Sequence, residues 1–303
     1  MDVKLVMGPV PYLWSPERRR AHLDATAAAP VDEVHLGEVI CSKRAPFTEA
    51  GLAEDAARLE AAGKRVVLTS LAEVMLPRER KAMAEFARIE DREIEINNAA
   101  GLHACGDRPH RIGPFLNAYN EATIAWMAGR GATHVCLPAE LPAPAMAVAA
   151  QAARGLGLGV EAIVFGRAPL AVSARCYHAR SHGRTRDSCQ FVCEDDPDGM
   201  PLATRDGRPI LRINGIQTQS ESYVSLLGEV GRLAEMGVTH LRLSPQAVDM
   251  AAVARVFRDR LDGKLDAAEA EGELAALCPG TGFGNGFFHG AAGWRRIAAA
   301  APA

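Results

Sequence analysis

The chain has 303 residues, 48% of them hydrophobic and 23% charged, the balance of a globular protein that buries a sizeable core in one large domain. A formal net charge of −3 provides no basic field for neutralising phosphates, which argues against nucleic acid as a main partner. No stretch approaches the ~20 apolar residues of a membrane span and Met1-Asp2-Val3-Lys4 is not the start of a signal peptide, so the expected location is cytoplasmic.

In chain order, short runs rich in Val, Ile and Leu alternate with helical patterns. A strand at Val3 to Met7 is followed by a helix at Glu17 to Ala27 and a strand at Glu33 to Leu36. Thr48 is expected to cap a helix whose Leu52, Ala56 and Leu59 share a face, with Gly63 ending it before a strand at Arg65 to Leu68. Strands at Glu93 to Ile96 and Arg111 to Leu116 come next. A helix at Asn120 to Gly129, a strand at His134 to Leu137, a helix at Ala145 to Arg154 and a strand at Val160 to Phe165 complete the regular part. Residues 167–220, rich in Arg, Asp, Gly and Cys, read as an insertion with one strand-like run, Ile210 to Ile213. Then follow a helix at Ser222 to Met236, an eighth strand at His240 to Leu243, a helix at Ala247 to Leu261, and a Gly- and Phe-rich tail within 280–303.

Eight strands with helical crossovers and no glycine-rich dinucleotide fingerprint after the first predict an α/β fold, a (β/α)8 TIM-like barrel with a cysteine-bearing insertion between strands 7 and 8. The whole chain, 1–303, is then a single barrel domain. Barrel enzymes place their chemistry on the loops that leave the strands' C-terminal ends, so the insertion is the natural place to seek a site.

Seven cysteines, an odd number, point in a reducing compartment to buried thiols, catalysis or metal rather than disulfides. Cys176, Cys189 and Cys193 lie in the insertion and Cys41 just after the second strand, so a parallel barrel brings all four to one face. Four thiolates suit an iron–sulfur cluster or structural zinc. Only Cys189 and Cys193 have the close spacing usual for zinc, which favours the cluster and keeps zinc as the alternative. Lys43, Arg44, Arg175, Arg180, Arg184 and Arg186 flank these cysteines and offset thiolate charge. Cys136 reads as a packed strand residue and Cys278 as structural, while Cys105 is the reserve ligand.

The segments Ser173-Ala174-Arg175-Cys176 and Asp187-Ser188-Cys189-Gln190-Phe191-Val192-Cys193, with Glu161 and Gly166 before them, resemble the collagenase-like peptidase superfamily. Within it they are most like its anaerobic ubiquinone-biosynthesis branch. Gly37-Glu38-Val39-Ile40-Cys41-Ser42-Lys43-Arg44, Asn214-Gly215-Ile216-Gln217-Thr218 and Leu243-Ser244-Pro245-Gln246 extend the likeness over nearly the whole chain. The resemblance implies a [4Fe-4S] cluster on Cys41, Cys176, Cys189 and Cys193 and a heterodimer with a related protein, UbiU. It also implies oxygen-independent hydroxylation of a ubiquinone precursor ring, with prephenate as oxygen donor and the lipid-binding accessory protein UbiT as carrier.

Glu38 and Glu161 are the catalytic candidates, able to move a proton or orient a substrate; the plainer reading is a salt bridge or a loop cap. Lys43, Arg44 and Arg175 are the candidates for binding a dicarboxylate such as prephenate, with electrostatic support of the cluster as the alternative. His178 and His182 read as solvated loop residues, and Asn285, Gly286, Phe287 and His289 as residues that cover the site or meet the partner. Neither a Gly-x-Ser-x-Gly elbow nor a His-Glu-x-x-His motif is present, so nothing in the residues speaks for peptidase activity. RNA base hydroxylation, known elsewhere in the superfamily, is opposed by the acidic balance.

Overall fold

A computed structural model describes residues 3–298; the outermost residues of the expected domain, 1–2 and 299–303, lie outside the described residues. Seven parallel strands follow one another in order: β1 (Lys4–Met7), β2 (Glu33–Leu36), β3 (Arg65–Thr69), β4 (Glu93–Ile96), β5 (His110–Ile112), β6 (Ala132–Leu137) and β7 (Gly159–Val172). Past β7 come three antiparallel strands, β8 (Met200–Ala203), β9 (Pro209–Asn214) and β10 (Gln217–Ser225). The next strand, β11 (His240–Leu243), pairs in parallel with both β7 and β1 and so closes an eight-stranded barrel, while β12 (Phe283–Gly284) lies beside β10. Helices α1 (Pro16–Ala28), α2 (Ala45–Glu49), α3 (Leu52–Ala61), α4 (Pro77–Phe86), α5 (Ala99–Cys105), α6 (Glu121–Ala128) and α7 (Ala143–Gly155) fill the crossovers. Short α8 (Tyr177–Ser181) follows β7, and α9 (Val230–Met236), α10 (Met250–Leu261) and α11 (Ala267–Leu277) complete the chain. The fold is an α/β TIM-like barrel.

The strands alternate, and both of their faces are buried for different reasons. Leu5, Met7, Val34, Leu36, Ile94, Ile96, Val135, Leu137, Leu241 and Leu243 belong to the apolar core shared with the helices. The residues between them face the axis, and several are charged or polar, His35, Glu95 and Arg242 among them, while Val6 and Cys136 are not. Arg111 on β5 donates to Glu33 on β2 at 2.6 Å, a bond between strands that are not neighbours and therefore one across the interior. One layer higher, Arg242 on β11 donates to both Glu161 oxygens, at 2.6 and 2.9 Å, and to Glu95 on β4, while His35 Nδ1 lies 3.3 Å from Glu95. Burial alone would raise both carboxyls; Arg242 and His35 outweigh it, holding Glu95 well below and Glu161 below the ordinary range.

Four expectations change. β7 does not stop at Phe165: it leaves the barrel at Gly166, where φ is +110° and a Cβ would come within 2.6 Å of Ser244 O, and continues as far as Val172 against β10. Residues 222–225 are strand rather than helix, because Tyr223 and Val224 pair with Arg167 and Gly166, and α9 begins only at Val230. The run from Arg111 becomes a 3-10 turn at Pro114–Leu116, since proline has no N–H for a ladder. Thr48 sits inside α2; α3 instead starts after Gly51, left-handed at φ +79°.

Arg242→Leu should cost about 3–5 kcal/mol, the usual cost of leaving buried carboxylates unpaired, read as a lowered denaturant midpoint. A pH dependence follows from His22 and His134. Burial, with Arg19 and Arg18 nearby, holds His22 at about 4, and burial, with Arg111 and His240, holds His134 at about 3, against an ordinary value of 6.5. Below that value the unfolded chain takes up protons that the fold refuses, so stability should fall as pH drops from 6.5 toward 4. Urea unfolding at pH 7 and pH 5 measures this, and His134→Gln should flatten the slope.

Candidate metal centre

The site lies where the chain leaves β2 and β7. Glu38 folds the first of these connections: its buried carboxylate accepts from Ile40 N at 2.8 Å and Cys41 N at 2.9 Å, and from the Thr48 hydroxyl at 3.2 Å. Burial raises the Glu38 pKa despite Arg44 and these donors. Beyond the end of β7, Cys176 caps α8, its sulfur accepting from Ala179 N at 3.3 Å and its thiol donating to Gly215 O at 3.2 Å. Between Cys189 and Cys193 the backbone is left-handed at both Gln190 and Phe191, with φ of +47° and +56°, before a 3-10 turn at Val192–Glu194. Two consecutive non-glycine residues in that region carry a conformational cost that the surrounding contacts must sustain.

Cys41, Cys176, Cys189 and Cys193 line one small cavity together with Arg44, Phe191 and Gly215, and each is buried. Arg44 is 1% exposed. Its Nη2 donates to Asn214 Oδ1 at 2.5 Å and its Nη1 to Pro11 O at 3.4 Å, while Nε has no partner. Cys193, Glu38 and Cys41 are its electrostatic neighbours, and no carboxylate among the described residues forms an ion pair with it. Gly215 opens the two-residue turn between β9 and β10 at φ +65°, where a Cβ would lie 2.4 Å from Arg44 Nη2.

These residues fit a thiolate-bound cluster. A buried cation needs counter-charge; Glu38 is the one carboxyl among the electrostatic neighbours of Arg44, and burial raises it as it raises the Cys176 and Cys193 thiols, so free thiols would leave Arg44 poorly compensated. Metal-bound thiolates would supply further negative charge. The spacing bears on which metal: sulfurs about 2.3 Å from a tetrahedral zinc lie about 3.8 Å apart. Among the described residues the only three His, Cys, Asp or Glu side chains with ligand atoms all within 4.8 Å of one another are His35, Glu95 and Glu161, and Arg242 already bonds all three. The cysteines ring their cavity more loosely than one zinc ion requires, as ligands to separate irons would.

The other expected site residues scatter. Lys43 lines the cavity, but its Nζ donates to Arg186 O at 2.9 Å and Asp187 O at 2.8 Å. Arg175 is exposed and does not line the cavity. Glu161 is inside the barrel with Arg242, away from the cysteines. His182 is exposed as expected, whereas His178 is fully buried, with Nε2 3.0 Å from Asp196 and its ring stacked on His182; packing under β9 removes it from solvent. Cys105 and Cys278 pack in the apolar core, and Cys136 is buried beside the Arg242 cluster. The tail packs on the barrel's flank: Phe288 O accepts from Ala143 N at 2.8 Å, His289 meets Glu229 at 2.9 Å, and Asn285 bonds Ile297. None of these tail residues lines the cysteine cavity.

A larger cleft of about 660 Å³ adjoins the cavity, walled by Tyr12, Trp14, His22, Phe47 and Phe191. Phe191 is common to both and meets Phe47 edge-on at 4.9 Å between centroids. Asn214 is the functional residue that pattern reading misses, since it both receives Arg44 and holds Cys193 O at 3.1 Å. The Asn-Gly pair between two strand-like runs was the available signal, pointing to a hairpin but not to its contacts.

Glu38→Ala strands the buried amides of Ile40 and Cys41 and should cost about 1–3 kcal/mol in chemical denaturation, while Glu38→Gln, which keeps an acceptor, should retain most of the stability.

Among solved structures, the chain is similar to a B. cereus protein at 12% identity and TM-score 0.42, covering 83% of this chain and 63% of that one, so it spans less than two thirds of that relative. It is also similar to a putative fructose-1,6-bisphosphate aldolase from Coccidioides immitis, at 13% identity and TM-score 0.39 over 91% of this chain and 87% of that one. A third, the HMG-CoA lyase from Brucella melitensis, matches at 11% identity and TM-score 0.36 over 86% of this chain and 98% of that one. The model of peptidase family U32 matches residues 18–297, nearly the whole length, and the chain belongs to that family, within the collagenase-like peptidase superfamily.

Proposed function

We propose that this chain is the iron–sulfur subunit of an oxygen-independent hydroxylase acting on the ring of a ubiquinone precursor, the role of UbiV, working as a heterodimer with UbiU and served by the lipid carrier UbiT. The observation that carries the cluster is Arg44: a buried guanidinium with no carboxylate ion pair among the described residues, set against four cysteines that line the same cavity. The finer assignment rests on the sequence blocks around those cysteines. When bound, a [4Fe-4S] cluster supplies the one-electron chemistry that side chains lack.

The chain's own residues then divide the work. Cys41, Cys176, Cys189 and Cys193 hold the cluster, and Phe191 separates it from the cleft. The aromatic walls of the cleft suit a planar ring. Its charged lining is Arg19 and Arg20 against Glu17, Glu54, Asp55 and Glu194, a balance that favours an uncharged ring over a dicarboxylate. The cleft thus gives prephenate, the proposed oxygen donor, no net cationic seat, Lys43 and Arg175 lie outside its lining, and Arg44 is reassigned from substrate to cluster. Glu38 shapes the Cys41 loop and Glu161 binds Arg242, so each has a structural task whether or not it also moves a proton.

A second reading, favoured by the full cysteine ligation, makes the cluster a structural element and leaves the chemistry to the companion. Peptidase activity draws support only from the family's name, and RNA base hydroxylation is opposed by the net charge of −3.

Anaerobic purification followed by iron, sulfide and zinc analysis tests the cluster. Iron and acid-labile sulfide in equal amounts, both lost in Cys176→Ala, are expected; zinc without labile sulfide would overturn the reading. Mixing the reduced protein with prephenate and a ubiquinone precursor, with and without UbiU, separates the two roles. Reoxidation that depends on substrate supports catalysis, and none supports the structural alternative.

A further inference from the structure

We infer that Arg44 is a positioning residue that sets the reduction potential of the cluster, and does so through charge rather than packing. This rests on the cluster reading above. A [4Fe-4S] core in its oxidised form, with four thiolates, is a dianion. One electron from an external reductant such as dithionite makes it a trianion, with no bond formed or broken and no proton required. Any fixed positive charge nearby favours the reduced form and raises the potential, and it does so most strongly where water cannot screen it.

Arg44 meets both conditions more fully than the other cations. Lys43, Arg184 and Arg186 are partly exposed, and Arg175 and Arg180 are exposed, so solvent screens them. Arg186 is also neutralised by Glu79, at 3.2 Å. Arg44 is buried, lines the cysteine cavity, and has Cys193, Glu38 and Cys41 as its electrostatic neighbours. The guanidinium is aimed by two fixed acceptors, Asn214 Oδ1 at 2.5 Å and Pro11 O at 3.4 Å. Gly215 leaves the room that any side chain would take from it. Local charge is among the levers by which a protein tunes a cluster, and Arg44 places a buried one beside Cys193.

The test is an anaerobic redox titration of the full-length protein followed by electron paramagnetic resonance, with iron and sulfide measured on each sample. Arg44→Gln should lower the midpoint by at least the ~59 mV that corresponds to a tenfold change in a one-electron equilibrium. Arg44→Lys, which keeps the charge but loses the fork, should restore most of the shift. Asn214→Asp provides an independent variant, placing a carboxylate against the intact guanidinium, and should shift the midpoint in the same direction as Arg44→Gln. If Arg44→Gln fails to load, Asn214→Asp decides. Loaded variants with an unchanged midpoint overturn this inference alone, as does an Arg44→Lys midpoint no higher than that of Arg44→Gln. A wild-type protein that holds no cluster overturns both this inference and the reading it rests on.

Discussion

The rest of the structure depends on the burial of the Arg242 guanidinium among Glu95, Glu161 and His35 at the barrel axis. Taking one cation and two carboxylates out of water is tolerable only when their geometry is satisfied together, because each group left alone would cost several kcal/mol, on the order of 3–5. The four residues come from β11, β4, β7 and β2, so the network fixes four strands of the barrel relative to one another. It also fixes the strands' pleat. With polar groups committed to the axis, the alternate side chains must carry the apolar core outward, which is why the helices are needed to cover them.

That constraint reaches the candidate site along the chain. Cys41 follows His35 by a short connection after β2, and Cys176 follows Glu161 beyond the end of β7. The strands that bring half of the cysteines are thus held by the same buried ions. The other two cysteines have no such strand. Their placement relies on the hairpin of β9 and β10, whose Asn214 grips Cys193 O and Asp196 O at 3.1 and 2.9 Å, and on the left-handed pair Gln190 and Phe191. One half of the site is built on the barrel and the other is strapped to it.

This division also governs what could be read from the sequence. Barrel strands such as Glu33–Leu36, Glu93–Ile96 and His240–Leu243 were legible to the residue, because buried outward faces force Val, Ile and Leu into short runs between helices. β8 and β10 were not: β8 is four apolar but largely exposed residues with a proline among them, and β10, mostly polar, borrows its order from β7. α11 carries a capping box, Asp266 with Glu269, and was legible in principle. The convergence of four cysteines on one barrel face was accessible from topology. The special standing of Arg44 was not: six cations flank the cysteines in sequence, and only the fold shows that a single one is fully buried. Glu38 and Glu161 looked alike as carboxylates on strand-derived positions, yet one caps a loop and the other pairs an arginine.

The two buried guanidiniums show how the same group takes different roles from its partners. Arg242 has its counter-charges built into neighbouring strands, so its network is complete in the chain alone. Arg44 bonds only an amide and a carbonyl oxygen, and the thiols and the Glu38 carboxyl near it are all pushed toward neutrality by burial. Its charge would be satisfied with the cysteines held as thiolates, and its bonds to Pro11 O and Asn214 tie the connection after β1 and the β9–β10 hairpin beside them. On the cluster proposal, whatever stabilises the thiolates would also stabilise Arg44 in this position, so the two would be linked.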